Sequence, residues 1–482
     1  MRDILSLEGL EAYLVGGCIR DSILGRPTRD IDLVLREPVE ELAKRVADAL
    51  GGSLVILGRE HRTARVVLPP DAAPGSPWQI DLSPLTTDIL QNLADRDFTI
   101  DAMAMELDIL WSRGGATEVI DPFGGVGDLR ARTIRAVGPD AFRMDPGRLL
   151  RALRLAAEMD FSVPPETQSL IRRDASLLVQ VAPERVTADL CPILANKQSY
   201  RWLCLMEDLG LLQVLIPELE EGRGVDQPKE HSWDVYHHSL RTVEALDHLL
   251  GEWEGKGDEY IAALDWAGDY TAHFGEELPG LYPRRALVKL AGLLHDVGKP
   301  RTKTVEASGR MRFYGHSQVG AEMVRRIMRR LRFGRREVSL VETIVLHHLR
   351  PGLMSHDGQL PTLRAVYRFF RDTGDAAIDT LFVNLADYRA ARGPLLQWEE
   401  WDRYAVVCRH ILSTGLARED SPPPRPLITG HDLIKEFRLS PGPLVGRLLE
   451  EVREARASGE IATREQALAL ASRSLGVHCE VR

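Results

Sequence analysis

The stretch YLVGGCIRDSILGRPTRDIDLVL, Tyr13 to Leu35, sets two glycines ahead of a short mixed segment and two aspartates at the head of an apolar run. Ile31, Leu33, Val34 and Leu35 read as a buried strand, where a carboxylate is costly unless it is paired or bound to a metal. Side chains two apart on a strand share a face, so Asp30 and Asp32 meet at one point in space. Such close like charges repel until a divalent cation neutralises them, and Mg2+ favours few carboxylates, several waters and phosphate oxygens. Upstream, Tyr13 to Val15 looks like a strand, Gly16 and Gly17 a tight turn, and Cys18 to Leu24 a short helix stopped by Gly25 and Pro27. Glycines let a triphosphate approach the backbone and a helix start favours its charge. Turn and carboxylate pair together point to metal-assisted nucleotidyl transfer.

With Arg20, Asp21, Gly25 and Arg26, this pattern resembles the first motif of the tRNA nucleotidyltransferase and bacterial poly(A) polymerase family (class II). The resemblance continues down the chain. QIDLSPL places Asp81 on a further apolar strand, where the family carries a third carboxylate near the metals. DRDFTIDAMAMEL resembles an Arg-Arg-Asp-x-x-x-Asn-Ala motif, which implies that Arg96 and Asp97 contact the nucleotide; Asp95 and Asp101 stand where arginine and asparagine are usual. IDPFGGVGDLRARTIRAVG, from Ile120, resembles the segment that closes the head.

AFRMDPGRLLRALRLAAEMDF carries the reading of nucleotide choice. Helical spacing puts Asp145 and Arg148 on one face, an acceptor beside a fork of donors. Cytosine and adenine both show an amino donor beside a ring-nitrogen acceptor, whereas uracil and guanine show a ring N–H beside a carbonyl. The motif resembles the family's Glu-Asp-x-x-Arg, with Met144 in the Glu place, and implies selection of CTP and ATP. APERVTADL, with Glu184 and Arg185, resembles the last neck motif, whose role looks structural. By this resemblance Asp30 and Asp32 bind Mg2+ with Asp81 assisting catalysis, Gly16, Gly17, Arg20, Arg96 and Asp97 hold the nucleotide, and Asp145 and Arg148 read the base.

Between Asp81 and Arg96 the connector LSPLTTDILQNLAD is short, whereas relatives that add the whole CCA end have a longer flexible loop there. Its shortness tilts the expectation toward CC addition over A or full CCA addition. A poly(A) polymerase, or a protein whose head only binds RNA while a second site elsewhere in the chain hydrolyses phosphate esters, are the alternatives.

A second constellation lies in the middle of the chain. His238 sits in an amphipathic helical pattern, LLHDVGKP places His295 and Asp296 at the end of an apolar helix, and LFVNLADYRAARG contains Asp387. Neutral imidazoles and carboxylates from separate helices suit a divalent transition metal with open positions for water. The order resembles the HD phosphohydrolase superfamily, in which YGHSQVGAEM and ETIVLHHLRP add His316 and His347 for members with more ligands. The implied metal is Mn, Ni, Co or Fe, or else Mg2+, and the implied activity is hydrolysis of phosphate esters.

At 482 residues the chain exceeds one usual domain, and 44% hydrophobic content is ordinary for a globular protein. The expected fold is an α/β (α+β) nucleotidyltransferase head with a mixed sheet, followed by all-α neck, HD and C-terminal helical domains. The boundaries are 1–136 for the head, 137–225 for the neck, 226–395 for the HD domain and 396–482 for the tail, with an acidic insertion near 251–280 and a proline-rich linker in SPPPRPL. The five cysteines are odd in number and lack zinc spacing, and no apolar run approaches a membrane span, which fits a cytoplasmic protein with no membrane role. The net charge of −10 leaves room for local basic clusters such as RRIMRRLRFGRR, Arg325 to Arg336, and the neck arginines Arg143, Arg148, Arg151 and Arg154. The implied partners are the tRNA 3' end with CTP or ATP; no obligate protein partner is evident.

Overall fold

A computed structural model of the chain describes residues 11–36, 38–57, 63–69, 77–107, 118–228, 232–250, 270–278, 282–355, 359–419 and 425–480. Most of the acidic insertion and the prolines at 422–424 lie outside the described residues. The chain divides into two compact units, one of Met1–Ile193 with Leu205–Leu215, the other of Leu194–Cys204 with Ile216–Arg482.

The first unit opens on a six-stranded sheet: β1 (Ala12–Val15), β2 (Asp30–Leu35), β3 (Ser53–Leu57), β4 (Thr63–Val67), β5 (Gln79–Pro84) and β6 (Ala104–Glu106), in the order β3-β4-β5-β2-β1-β6. β2 and β5 pair in parallel and their other neighbours antiparallel, so the sheet is mixed as expected. A parallel pair needs a crossover, and the chain supplies it with α2 (Val39–Leu50) and the β3–β4 hairpin. Helix α1 (Gly17–Ile23) links β1 to β2, and α3 (Ile89–Ala94) follows β5.

Period-two alternation sorts the two faces. Leu33, Leu35, Ala64, Val66, Ile80 and Leu82 point to one side and pack under Val39, Leu42, Ala43, Val46 and Ala47 of α2. Burying each of these larger side chains contributes about 1.5–3 kcal/mol. Val15 and Val34 point to the other side and meet Leu85, Ile89, Leu93, Ala102 and Ala104. Asp30 and Asp32, in phase with Val34, are therefore displayed on the face opposite α2. Beyond the sheet, α4 (Arg148–Met159) and α5 (Pro183–Ala195) belong to the helical neck.

The second unit is built on α6 (Val235–Leu250), α7 (Arg284–Leu294), α8 (His316–Arg330), α9 (Arg335–His347), α10 (Leu363–Thr373), α11 (Ala377–Arg392) and α12 (Trp398–Glu419). It is not purely helical: β7 (Lys303–Val305) and β8 (Met311–Phe313) form a hairpin just before His316. Trp401 of α12 is fully buried among residues of α10 and α11. A further core around Leu433, Leu448 and Ala467 gathers α13 (Pro443–Ala457) and its neighbours. The arginine-dense stretch 325–336 is partly neutralised within the chain: Arg325 pairs with Glu342 at 3.0 Å, Arg330 with Glu218 at 2.6 Å and Arg336 with Glu276 at 3.2 Å.

Candidate functional site

In the head, the glycine turn lies directly over the carboxylates. Gly16 has φ +79°, and a Cβ there would stand 2.6 Å from Arg96 Nη1 and 3.0 Å from Asp32 Oδ2. The missing side chain is what lets the turn, Arg96 and Asp32 converge. Burial and then the neighbouring carboxylate Asp81 raise Asp30 above its usual range. Burial raises Asp32 to about 6, with Arg96 opposing and Asp30, Asp81 and Asp101 adding to the rise. Hard carboxylate oxygens crowded at this cost fit a divalent cation such as Mg2+. Asp81 sits across from Asp32 in register, and both its oxygens are engaged by Arg65 at 2.7 Å.

The arginines read as nucleotide ligands are all partnered. Arg20 donates to Asp101 at 2.7 Å and to Asp21 at 2.9 and 3.1 Å, and these carboxylates keep it charged against the cost of its burial. The charge that Asp101 adds in place of asparagine is thus met by Arg20. Arg96 donates to the Asp101 carbonyl at 3.3 Å, and Asp97 accepts from Arg151 at 2.6 Å and from the Phe98 N–H at 2.9 Å. Asp95 is exposed and accepts from Gln91. Of the neck arginines, Arg143 pairs with Asp140 and Asp174, and Arg154 with Glu158 and Asp189.

Asp145 and Arg148 depart from the helical spacing expected of them. Asp145 and Arg148 do not share one helical face: Asp145 is extended, with φ −146° and ψ 102°, between the short helix Ala141–Met144 and the start of α4. Pro146 explains this, because a residue before proline is pushed out of the helical region. Arg148 is held by backbone carbonyls instead, at 3.2 Å from Ala141, 3.4 Å from Arg96 and 2.6 Å from Asp95. That support replaces what a glutamate at Met144, itself 57% exposed, could give. Asp145 accepts from Arg185 at 3.0 and 2.7 Å and from the Gly147 N–H at 3.0 Å. Burial pushes the Asp145 carboxyl up, but these donors outweigh it and its pKa lies below the usual range. A Cβ on Gly147 would stand 2.4 Å from Arg185 Nη2, so glycine there opens the path between the two side chains. Arg185, read from sequence as structural, is a polar partner of the site; its signal was the neck motif itself.

In the second unit, five helices converge on a buried cluster. His238 comes from α6, His295 and Asp296 from the end of α7, His316 from the first residue of α8, His348 from the end of α9 and Asp387 from α11. His238 Nε2 lies 3.2 Å from His295 Nε2 and 3.0 Å from Asp387 Oδ1. His295 Nε2 lies 3.1 Å from Asp296, and His316 and His348 approach Asp296 Oδ1 at 3.5 and 3.8 Å. The close approach of helices depends on Gly298, where a Cβ would stand 2.3 Å from the His316 carbonyl and 2.6 Å from the Gly320 nitrogen.

His295, His316 and His348 share one device: each Nδ1–H donates to the carbonyl three residues back, at 2.7, 2.8 and 2.7 Å. For His316 and His348 this fixes the tautomer with the Nε2 lone pair turned toward the cluster, whereas at His295 burial is outweighed by the carboxylates Asp296 and Asp387, which raise the imidazole to about 10. His316 Nε2 and His348 Nε2 are buried with no hydrogen-bond partner. Burial holds both imidazoles neutral, His348 down to about 3. Lone pairs aimed at carboxylates without a proton between them fit a divalent metal. Two overlapping groups have metal-binding spacing, His238, His295 and Asp387, and His295, Asp296 and His348. Lys299 Nζ, 2.6 Å from Asp296 Oδ2, donates to Gln227.

His347, taken from sequence as the ligand, is half-buried and outside both groups. Its neighbour His348 is the one turned into the cluster, because the buried stripe Val338, Val341 and Val345 continues at helical spacing to 348. Asn384 donates to the His348 carbonyl at 2.8 Å and accepts from the Tyr404 hydroxyl at 2.6 Å, which fixes that helix end.

The chain matches family models along most of its length. A poly A polymerase head domain covers 12–73 and 75–135, a "Probable RNA and SrmB- binding site of polymerase A" covers 160–222, an HD domain covers 235–392, and a tRNA nucleotidyltransferase domain 2 covers 424–471. The A-adding tRNA nucleotidyltransferase of Deinococcus radiodurans is 33% identical over 468 residues, 96% of this chain and 95% of the relative. The CC-adding tRNA nucleotidyltransferase of Thermus thermophilus is 32% identical, over 95% of this chain and 92% of the relative. In fold, the chain is similar to the CCA-adding enzyme of Thermotoga maritima complexed with tRNA-CCA, with TM-score 0.62 and 20% identity over 98% of this chain and 93% of that one. A CCA-adding enzyme solved with CTP has TM-score 0.65 at 21% identity, again over 98% of this chain and 93% of that one. Among the described residues no helix is long and apolar enough to cross a membrane. Sequence identity over nearly the whole of both chains, together with the carboxylate-bearing head sheet, makes this protein a member of the bacterial tRNA nucleotidyltransferase family, with an HD domain in its second unit.

Proposed function

We propose that the head adds C, in preference to A, to the 3' end of tRNA, using CTP as donor. The observation that carries the nucleotidyl-transfer reading is the convergence of the Gly16 turn and Arg96 on Asp32, which lies in register with Asp81. Asp30 and Asp32 would hold Mg2+, which would supply positive charge to offset that of the triphosphate and of the oxygen that attacks it. The RNA 3'-hydroxyl oxygen forms a bond to the α-phosphorus as its proton passes to water, the bond from that phosphorus to the bridging oxygen breaks, and pyrophosphate leaves. Gly16, Gly17, Arg20, Arg96 and Asp97 line the triphosphate and sugar, and Asp145, Arg148 and Arg185 face the base. The preference for C is supported by the brevity of the segment after β5: only 85–88 separate Pro84 from α3, and Asp88 caps that helix by accepting from the Gln91 N–H at 2.8 Å.

The second unit adds a metal-dependent phosphohydrolase. His238, His295, Asp296 and Asp387 would hold the first metal, and His316 and His348 would allow a second. A divalent ion held there would supply an activated water. The chain's own residues orient the site: carbonyls fix the imidazoles, and Lys299 offers a cation beside Asp296 for a phosphate oxygen. We assign the head to 1–136, the neck to 137–225, the HD domain to 226–395 and the tail to 396–482.

The deciding experiment extends three tRNA transcripts, lacking CCA, ending in C and ending in CC, with labelled CTP and ATP supplied separately and together. Addition that stops at CC supports the proposal. ATP incorporation onto the CC-ended transcript overturns the preference for C, and no addition to any transcript overturns the transferase reading.

A further inference from the structure

One row of charged residues crosses the head sheet at the level of the carboxylate pair. Asp32 on β2 lies opposite Asp81 on β5, and Asp81 lies opposite Arg65 on β4. Residues directly opposite in a pleated sheet point to the same face, so Asp32, Asp81 and Arg65 stand side by side, with Asp30 two residues along. Arg65 closes on Asp81 as a fork: Nε donates to Oδ1 and Nη2 to Oδ2, each at 2.7 Å. The Arg65 side chain is 33% exposed and that of Asp81 16%, which puts the pair at the rim of the carboxylate site. Asp30 and Asp32 attract the same guanidinium.

A carboxylate with both oxygens committed to one guanidinium is a strong, geometrically fixed pair and a poor chelator. Three carboxylates free to turn inward would trap a divalent ion without substrate, whereas two leave positions for water and phosphate oxygens. We infer that Arg65 is a positioning residue that holds Asp81 off the cation, so that the head takes its metal with the nucleotide and not before it. This rests on the proposed assignment of Asp30 and Asp32 as the metal ligands. In the absence of nucleotide, loss of the fork frees Asp81 to join Asp30 and Asp32.

The test titrates Mn2+ alone into the full chain without nucleotide, followed by calorimetry and by the spin resonance of free Mn2+. The HD cluster contributes equally to every variant, so differences report the head. Arg65→Leu is expected to tighten the head's Mn2+ Kd about tenfold, the scale on which an adjacent arginine shifts a carboxylate. Arg65→Lys, which keeps charge but not the fork, falls in between. Arg65→Leu combined with Asp81→Asn returns to the wild-type value. An unchanged Kd in Arg65→Leu overturns the inference, as does tightening that survives in the double variant. A merely structural arginine would lower the melting temperature and leave the Kd alone. If Arg65→Leu does not fold, Arg65→Gln carries the same comparison. Asp32→Ala separates the two ideas: a head Mn2+ phase that persists in it sinks the ligand assignment, not the role of Arg65.

Discussion

Both carboxylate oxygens of Asp145 accept from the guanidinium of Arg185, 40 residues further along the chain, at 3.0 and 2.7 Å. Arg148, three residues away, turns instead to the carbonyls of Asp95, Arg96 and Ala141. The acceptor and the donor thought to read one base are thus held by different parts of the structure.

If Arg185 orients Asp145 for base reading, Arg185→Ala should lower kcat/KM for CTP by about 10- to 100-fold, the effect of removing a charge-assisted bidentate support. Incorporation of UTP should rise at the same time. Arg185→Lys, without the fork, should recover part of the rate and little of the selectivity. Single-nucleotide incorporation with each of the four triphosphates measures both.

Asp32→Ala should abolish nucleotide addition and leave phosphate-ester hydrolysis at the wild-type rate, because the two carboxylate sets lie in separate compact units. Loss of both activities in a folded variant would refute two independent sites.

Asp32, with its pKa raised to about 6, gives a pH dependence of defined sign. A folded-state pKa above the unfolded value means that the metal-free head loses stability as pH rises from the ordinary carboxylate range through 6. A cation reverses that loss and must displace a proton below pH 6, so its apparent affinity should fall about tenfold per pH unit there. Mg2+ should therefore raise the melting temperature more at pH 7.5 than at pH 5. Differential scanning calorimetry at the two pH values decides it, and an equal shift at both would refute the prediction.

The two adjacent histidines at the end of α9 offer a direct comparison. His348→Ala should reduce the bound transition metal and the hydrolytic rate, while His347→Ala should leave metal content within error. Metal analysis of the purified variants, with nucleotide addition as a folding control, is the measurement.

Gly298→Ala should destabilise the second unit by about 1–3 kcal/mol, the usual cost of overpacking. The added methyl meets the backbone at His316 and Gly320, which cannot rotate away as a side chain could. Thermal unfolding should show the loss, together with weaker metal retention.

The sequence by itself determined the carboxylate pair and its face, since a period of two on an apolar strand leaves Asp30 and Asp32 only one side to share. It also determined the helix that carries His238, whose amphipathic pattern turns that residue inward, and it marked His295, Asp296 and Asp387 by the LLHDVGKP and LFVNLADYRAARG motifs. Read with Val338, Val341 and Val345, it held the phase that selects His348 over His347, a rotation of one residue about the helix axis. Pro146 likewise forbade the continuous helix that a spacing argument placed over Asp145 and Arg148. Only the tertiary structure decided the partners: Arg65 on Asp81, Arg185 on Asp145 and Asp101 on Arg20. The physical reason is that strand register and helix docking are fixed by burial of the whole apolar face, and a charged side chain then pairs with whatever those distant choices bring within 3 Å.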